Sequence, residues 1–406
     1  MKAKCKGFFS GCLVSGMIFL YSASWAGIAE PPVPRPEIAP YVEFLKNNSQ
    51  DPVEYMLSLF DKYQIVVFVE GVHTESVQYE FLTRLISHPD FAGKVRGIFT
   101  EVGSITQQPL MDRFMASKTY DRDLLLKVYR EPTVWPGWPS SDIIDFWTTL
   151  WIVNSRLCDS EKIEAWPDGM PWNWENLKTN RDYKLQELIT RFAYDRIMAG
   201  QIFDKLMNLS YKTNKKDRFL VIMNTRHAVG LFMDKELSGG KSYAESTCAI
   251  LKLLMPGKVA NVLWNSTRAF VKNSGEIPKN CCLVANGLWD AAFSCNGNRP
   301  AGFTLKDTPF GNTALDYHAA FLGENYAQGF DGLVFYRPIS DYAVCGSAPG
   351  YFDDEAYVEE FKRRFDVMQM QCPDIADIAS TLETPLYDEN EQKYLKKQID
   401  QHLVNP

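Results

Sequence analysis

The stretch Ile65-Val66-Val67-Phe68-Val69-Glu70-Gly71-Val72-His73 decides the fold class. Its opening apolar run is too short for a helix and rich in β-branched residues, so it reads as a buried strand ending at Glu70. Val77, Phe81, Leu82, Leu85 and Ile86 then recur at helical spacing, with Thr74 as the expected N-cap and Pro89 as the stop. A second short strand, Gly97-Ile98-Phe99-Thr100, ends at Glu101. Strand, helix and strand within about 40 residues form a βαβ unit, whose right-handed crossover makes the two strands parallel. The expected class is α/β, with a mostly parallel central sheet flanked by helices.

Outward from this unit, residues 41–62 read as one short helix and residues 105–160 as helical, broken by a rigid loop at Trp135, Pro136, Trp138 and Pro139. Further strands are expected at Ile163–Trp166, at Phe219–Met223 ending on Asn224, at Val259–Trp264 and at Gly332–Tyr336, with a strongly periodic helix over 181–209. The span 105–200 is expected to form a helical cap insertion. Its Trp166, Trp172 and Trp174 would either wall a site for an apolar or macrocyclic small molecule or simply pack between cap and sheet. Residues 41–406 thus make one domain, with a cysteine-containing C-terminal extension over about 275–406.

The amino end carries a different signal. Lys2, Lys4 and Lys6 precede an apolar stretch from Phe8 to Tyr21, and Ser24-Trp25-Ala26 offers a small-x-small cleavage pattern. Residues 1–26 therefore read as an export signal, and a periplasmic or secreted location follows. No later segment approaches the length of a transmembrane span. Residues 27–40 read as a proline-rich linker, expected to run extended over Pro31–Pro40. Export permits disulfides, and the local pairing candidates are Cys281 or Cys282 with Cys295, and Cys345 with Cys372. Across 406 residues the formal net charge is −7, with no long basic block, so nucleic acid and anionic membrane surfaces are poor partners.

Open parallel sheets bind ligands beyond the carboxyl ends of their strands. Glu70 and His73 follow the first strand, Glu101 the second, and Asn224, Arg226 and His227 a later one, although the chain has only five histidines. Each alone could be a helix cap or a hydrogen-bonded core residue. Together they are candidates for a site of carboxylates and imidazoles.

Val67-Phe68-Val69-Glu70-Gly71-Val72-His73, followed by Glu101 at the next strand end, resembles the erythromycin esterase-like proteins and their relatives, the ChaN haem-uptake and Tiki protease families. Asp195-Arg196-Ile197-Met198-Ala199 is similar to the family's Arg-Asp-x-x-Met-Ala helix, and Asn224-Thr225-Arg226-His227 to its Asn-x-His after a strand. The resemblance covers about residues 62–235, with Phe330–Val334 similar to a closing strand; it departs at Val69, Tyr194 and Arg226.

The chain has no Gly-x-Ser-x-Gly elbow and no His-Glu-x-x-His helix, and Gly239-Gly240-Lys241-Ser242 lacks the earlier glycine of a phosphate loop. A water activated by a general base remains. The expected roles are His73 as base, Glu101 or Glu70 as its orienter, and His227 with Arg226 at the developing oxyanion, with no cofactor required. The acyl reaction, hydrolysis of an ester or lactone, is what the resemblance implies. It also implies two alternatives: a divalent metal held by Glu70, His73, Glu101 and His227, as in the Tiki relatives, or haem or iron binding of the ChaN kind, to which tyrosines such as Tyr79 would contribute.

Overall fold

A computed structural model describes residues 31–130, 140–213, 217–232, 245–267, 281–316, 323–375, 378 and 386–404. The export segment, the Trp135–Pro139 loop and Gly239–Ser242 lie outside the described residues. The described residues contain nine strands: β1 (Val33–Pro34), β2 (Ile65–Glu70), β3 (Gly97–Thr100), β4 (Glu164–Pro167), β5 (Phe219–Asn224), β6 (Val259–Trp264), β7 (Ala301–Thr304), β8 (Gly332–Phe335) and β9 (Leu403–Val404). Seven form one sheet in the order β4-β3-β5-β2-β6-β8-β7, parallel except for β7 against β8.

The central strands are buried on both faces, which is why they read as continuous apolar runs and not as alternating ones. Their side chains still alternate between two cores. Val66, Phe68, Leu220 and Ile222 pack with the helices Pro52–Leu59, Ser76–Ile86, Gln108–Ala116, Arg122–Arg130 and Ser141–Ser155. Ile65, Val67, Val69, Val221 and Met223 pack on the opposite face with Ala39–Asn48, Asn180–Thr213, Thr247–Leu254 and Leu288–Cys295.

Several local expectations shift. The helix expected over 41–62 is two, because Asp51 caps a new helix by accepting the Val53 and Glu54 N–H groups and Pro52 takes its first position. The linker is part of the folded body: β1 pairs with β9, and Ile38 is fully buried. Helices from the expected cap bury Met111, Phe114, Leu125 and Trp147 in the same core as the sheet residues Val66 and Ile98, so much of that span is a flanking layer. Trp166 stacks on Phe99 with ring centroids 4.3 Å apart, a packing role inside the sheet. Trp172 and Trp174 stack on each other and on Tyr183. Cys295, Cys345 and Cys372 are free thiols, so neither expected disulfide is made. Among the described residues no helix is long and apolar enough to cross a membrane.

Candidate functional site

Chain order reverses direction across the sheet near β2 and β5, and there the polar strand ends gather. Glu70 lies in register with Asn224 on the neighbouring strand, and the Glu101 N–H donates to the Ile222 carbonyl at 3.1 Å, placing the β3 end beside them. Asn224 starts the short helix Thr225–Ala228 by accepting the Arg226 N–H at 3.0 Å, while its amide donates to the Gly71 carbonyl at 3.1 Å. Thr225 Oγ1 donates to the Glu70 carbonyl at 2.9 Å. The β2 and β5 loops are thereby stitched together. Gly71 is required here, since a Cβ would sit 2.4 Å from Ser266 Oγ and 2.8 Å from Glu75 Oε2.

Two halves of the site rise from the two faces of the sheet. On one, Tyr79 of the helix Ser76–Ile86 donates its hydroxyl to Glu70 Oε1 at 2.8 Å, and Glu70 Oε2 lies 3.2 Å from His73 Nδ1. The other ring nitrogen of His73, Nε2, lies 2.9 Å from Glu101 Oε1. On the opposite face, His227 Nδ1 lies 2.7 Å from Asp195 Oδ1, a residue of the helix Asn180–Thr213. Asp195 is fixed in turn by the Thr247 N–H at 2.8 Å and the Thr247 hydroxyl at 2.9 Å. Glu101 joins the halves, its Oε2 being 3.6 Å from His227 Nε2.

The proton positions follow from the partners. Both ring nitrogens of His73 face carboxylate oxygens, which only accept, so both carry protons. Burial would lower the His73 pKa, but Glu101 and Glu70 outweigh it and push it up to about 10. Burial would raise Glu101, yet the cationic His73 ring, which also donates to it, and the Arg226 guanidinium hold it down at about 2. Asp195 is likewise held below the usual range, against burial, by His227 and Thr247. At His227 the arrangement differs. Arg226 Nη2, which can only donate, lies 2.6 Å from Nε2, so that nitrogen carries the lone pair and Nδ1 carries the proton toward Asp195.

All the residues singled out in the sequence, Glu70, His73, Glu101, Arg226 and His227, meet at this one sheet end. Tyr79 is present too, but it is buried and engaged with Glu70. Three contributors carried no assigned role in the sequence. Asp195 orients His227; the Tyr194 ring packs edge-on against His227 with centroids 4.8 Å apart; Thr247 anchors Asp195. Of the three, Asp195 lies in the short Asp195–Ala199 motif and Tyr194 marks a departure from the family pattern beside it, while Thr247 has no sequence signal.

Ligand atoms of Glu70, His73 and Glu101 all lie within 4.8 Å of one another, and among the described residues Glu101 Oε2 is buried without a hydrogen-bond partner. One imidazole and two carboxylates suit a divalent cation, which would take the place of the shared His73 proton. Such an ion would act as a Lewis acid on a bound carbonyl. His227, turned toward Asp195 and Arg226, stands outside that set.

No sequence-family description and no curated protein matches the chain. Solved structures similar to it include a succinoglycan biosynthesis protein, at 10% identity over 73% of this chain and 96% of the other, TM-score 0.47. Another is the erythromycin esterase EreC in its open conformation, at 11% identity over 75% and 96%, TM-score 0.43. A third is ChaN of Campylobacter jejuni with cofacially bound haem, at 12% identity over 70% and 91%, TM-score 0.34.

Proposed function

We propose that this chain is an exported hydrolase that cleaves carboxylic esters or lactones by attack of water. One observation carries the reading: Glu70, His73, Glu101, His227 and Asp195 form an alternating row of carboxylates and imidazoles, in which the two imidazoles have different partners, carboxylates at both nitrogens of His73 but a carboxylate and the Arg226 guanidinium at His227. Two imidazoles so differently partnered can divide the roles of acid and base between them.

The geometry favours roles other than those expected from sequence. His73, protonated on both nitrogens, is the acid; His227, with its Nδ1 proton held by Asp195 and its lone pair on Nε2, is the base. Water oxygen bonds to the carbonyl carbon as its proton passes to His227 Nε2, and Arg226 moves its hydrogen bonds to the developing oxyanion. When the carbon–oxygen bond to the alcohol breaks, His73 supplies the proton that the leaving oxygen needs. Glu101, between the two rings, is placed to return the proton from His227 to His73. His73 is the more open of the two, its side chain 18% exposed against 4% for His227, and so faces the entering substrate.

A panel of aryl esters and lactones, run beside metal analysis of the purified protein, tests this reading. Hydrolysis that falls at least ~10²-fold in His227→Asn, with an unchanged circular dichroism spectrum, is expected. Absence of hydrolysis from metal-free and metal-loaded protein alike would overturn it. Activity that tracks divalent-ion occupancy would favour the metal reading of Glu70, His73 and Glu101.

A further inference from the structure

Between β2 and the helix Ser76–Ile86, residues 71–74 lie outside regular structure, and His73 stands on this loop. The backbone polar groups of a loop must find partners elsewhere. The Asn224 amide donates to the Gly71 carbonyl at 3.1 Å, the Val72 N–H donates to Glu75 Oε1 at 3.2 Å, and the Cys345 N–H donates to the Thr74 carbonyl at 2.8 Å. Two further groups are held by a single side chain. Gln78 Oε1 accepts the Gly71 N–H at 3.1 Å, and Gln78 Nε2 donates to the Val72 carbonyl at 2.8 Å.

Those two groups bracket the site. The Gly71 N–H belongs to the peptide that leaves Glu70, and the Val72 carbonyl to the peptide that enters His73. One planar amide therefore fixes the separation of two residues whose side chains meet at 3.2 Å. Its orientation is set as well, because an N–H can only donate and a carbonyl can only accept. Gln78 is fully buried, and Val77, Tyr79, Phe81 and Leu82 around it in the sequence are buried too. An apolar side chain of the same length would fill this space without stripping water from an amide, so packing alone does not account for a glutamine here. Tyr79, the next residue of the helix, holds Glu70 Oε1 at 2.8 Å.

We propose that Gln78 is a positioning residue for His73: by tying the peptide that leaves Glu70 to the peptide that enters His73, it keeps the His73 ring between Glu70 and Glu101. The catalytic consequence rests on the ester-hydrolase reading, in which His73 gives the leaving oxygen its proton. Without the Gln78 amide the Val72 carbonyl keeps the Glu75 N–H at 2.9 Å, but the Gly71 N–H loses the acceptor that holds it. A displacement of about 1 Å at a reacting group can lower a rate by as much as about 10²-fold.

The test uses Gln78→Met, which keeps the side chain's length and removes both hydrogen bonds. In the metal-free wild type the two ring N–H groups of His73, each held by a carboxylate, should give slowly exchanging downfield proton signals that His73→Asn removes. In Gln78→Met both signals should be lost, and kcat for 4-nitrophenyl acetate should fall about tenfold or more with KM within about twofold. Ile86→Ala, about 12 Å along the helix from Gln78, opens a cavity in the core and should keep both signals and the wild-type kcat. Retention of both signals in Gln78→Met, an equal loss in Ile86→Ala, or their absence from the wild type would overturn the proposal. Where Gln78→Met does not fold, Gln78→Asn, a methylene too short to span both groups, must show the same losses. Signals lost in Gln78→Met while the wild type cleaves no ester, or while kcat is unchanged, would leave the positioning intact and remove the acid role from His73. Cleavage by both proteins with both signals kept would leave the hydrolase reading intact and end the positioning.

Discussion

His73 and His227 sit on either side of the same carboxylate, yet they hold different protons. His73 is clamped between Glu70 and Glu101, with a carboxylate oxygen at each ring nitrogen. His227 meets a carboxylate on one nitrogen and a guanidinium on the other. The difference shows that burial does not set the charge of an imidazole here; the identity of its two partners does. Nearby Glu75 makes the same point for carboxylates. It is fully buried like Glu70, but its partners are the neutral donors of Ser266, the Val72 N–H and Trp264, and burial raises it from the ordinary 4.5 to about 7. Asp168, just after β4, is raised well above the usual range by burial.

The contrast can be broken most severely at Glu101, which both rings share. Glu101→Gln should lower ester hydrolysis at least ~10²-fold in steady-state assays, and adding His73→Asn should cost little more, because groups that act as a unit are not additive. Fully additive losses would mean that the rings work independently. Asp195→Asn comes next, since an amide no longer requires the Nδ1 proton of His227; kcat should drop about tenfold or more with KM little changed.

The pH dependence of stability sharpens the contrast further. The His73 contribution is complete below its unfolded value of 6.5 and is lost as pH rises toward about 10. That of Glu101 is complete above 4.5 and is lost as pH falls toward about 2. Urea unfolding should therefore show an alkaline decline that His73→Asn removes and an acid decline that Glu101→Gln removes. Glu75 runs the opposite way: its raised pKa destabilises the fold progressively between pH 4.5 and about 7. Glu75→Gln should leave hydrolysis unchanged and be close to neutral for stability at pH 5, while at pH 8 it gains up to about 3 kcal/mol.

The strands were legible because each is a short β-branched apolar run, and the residues ending them were legible because Glu and His are conspicuous after such runs. Glu70, His73, Glu101 and His227 were found in this way. Asp195 was not assigned a role, because an acid in the middle of a long helix has the sequence signature of an ordinary solvated charge; only the packing of that helix on β5 brings it to His227. Glu75 was hidden for a related reason. Thr74 looked the better cap, whereas Glu75 occupies the N-cap position with its side chain turned inward to Trp264 and Ser266. The division of protons between the two histidines was out of reach as well, because it depends on which partner meets which ring nitrogen.

The most direct test is an NMR titration of the His73 ring in the metal-free protein, assigned by comparison with His73→Asn. The ring should stay doubly protonated through neutral pH and titrate near 10. A His73 that loses its proton at or below its ordinary 6.5 would contradict the assignment of the acid and return the base to His73.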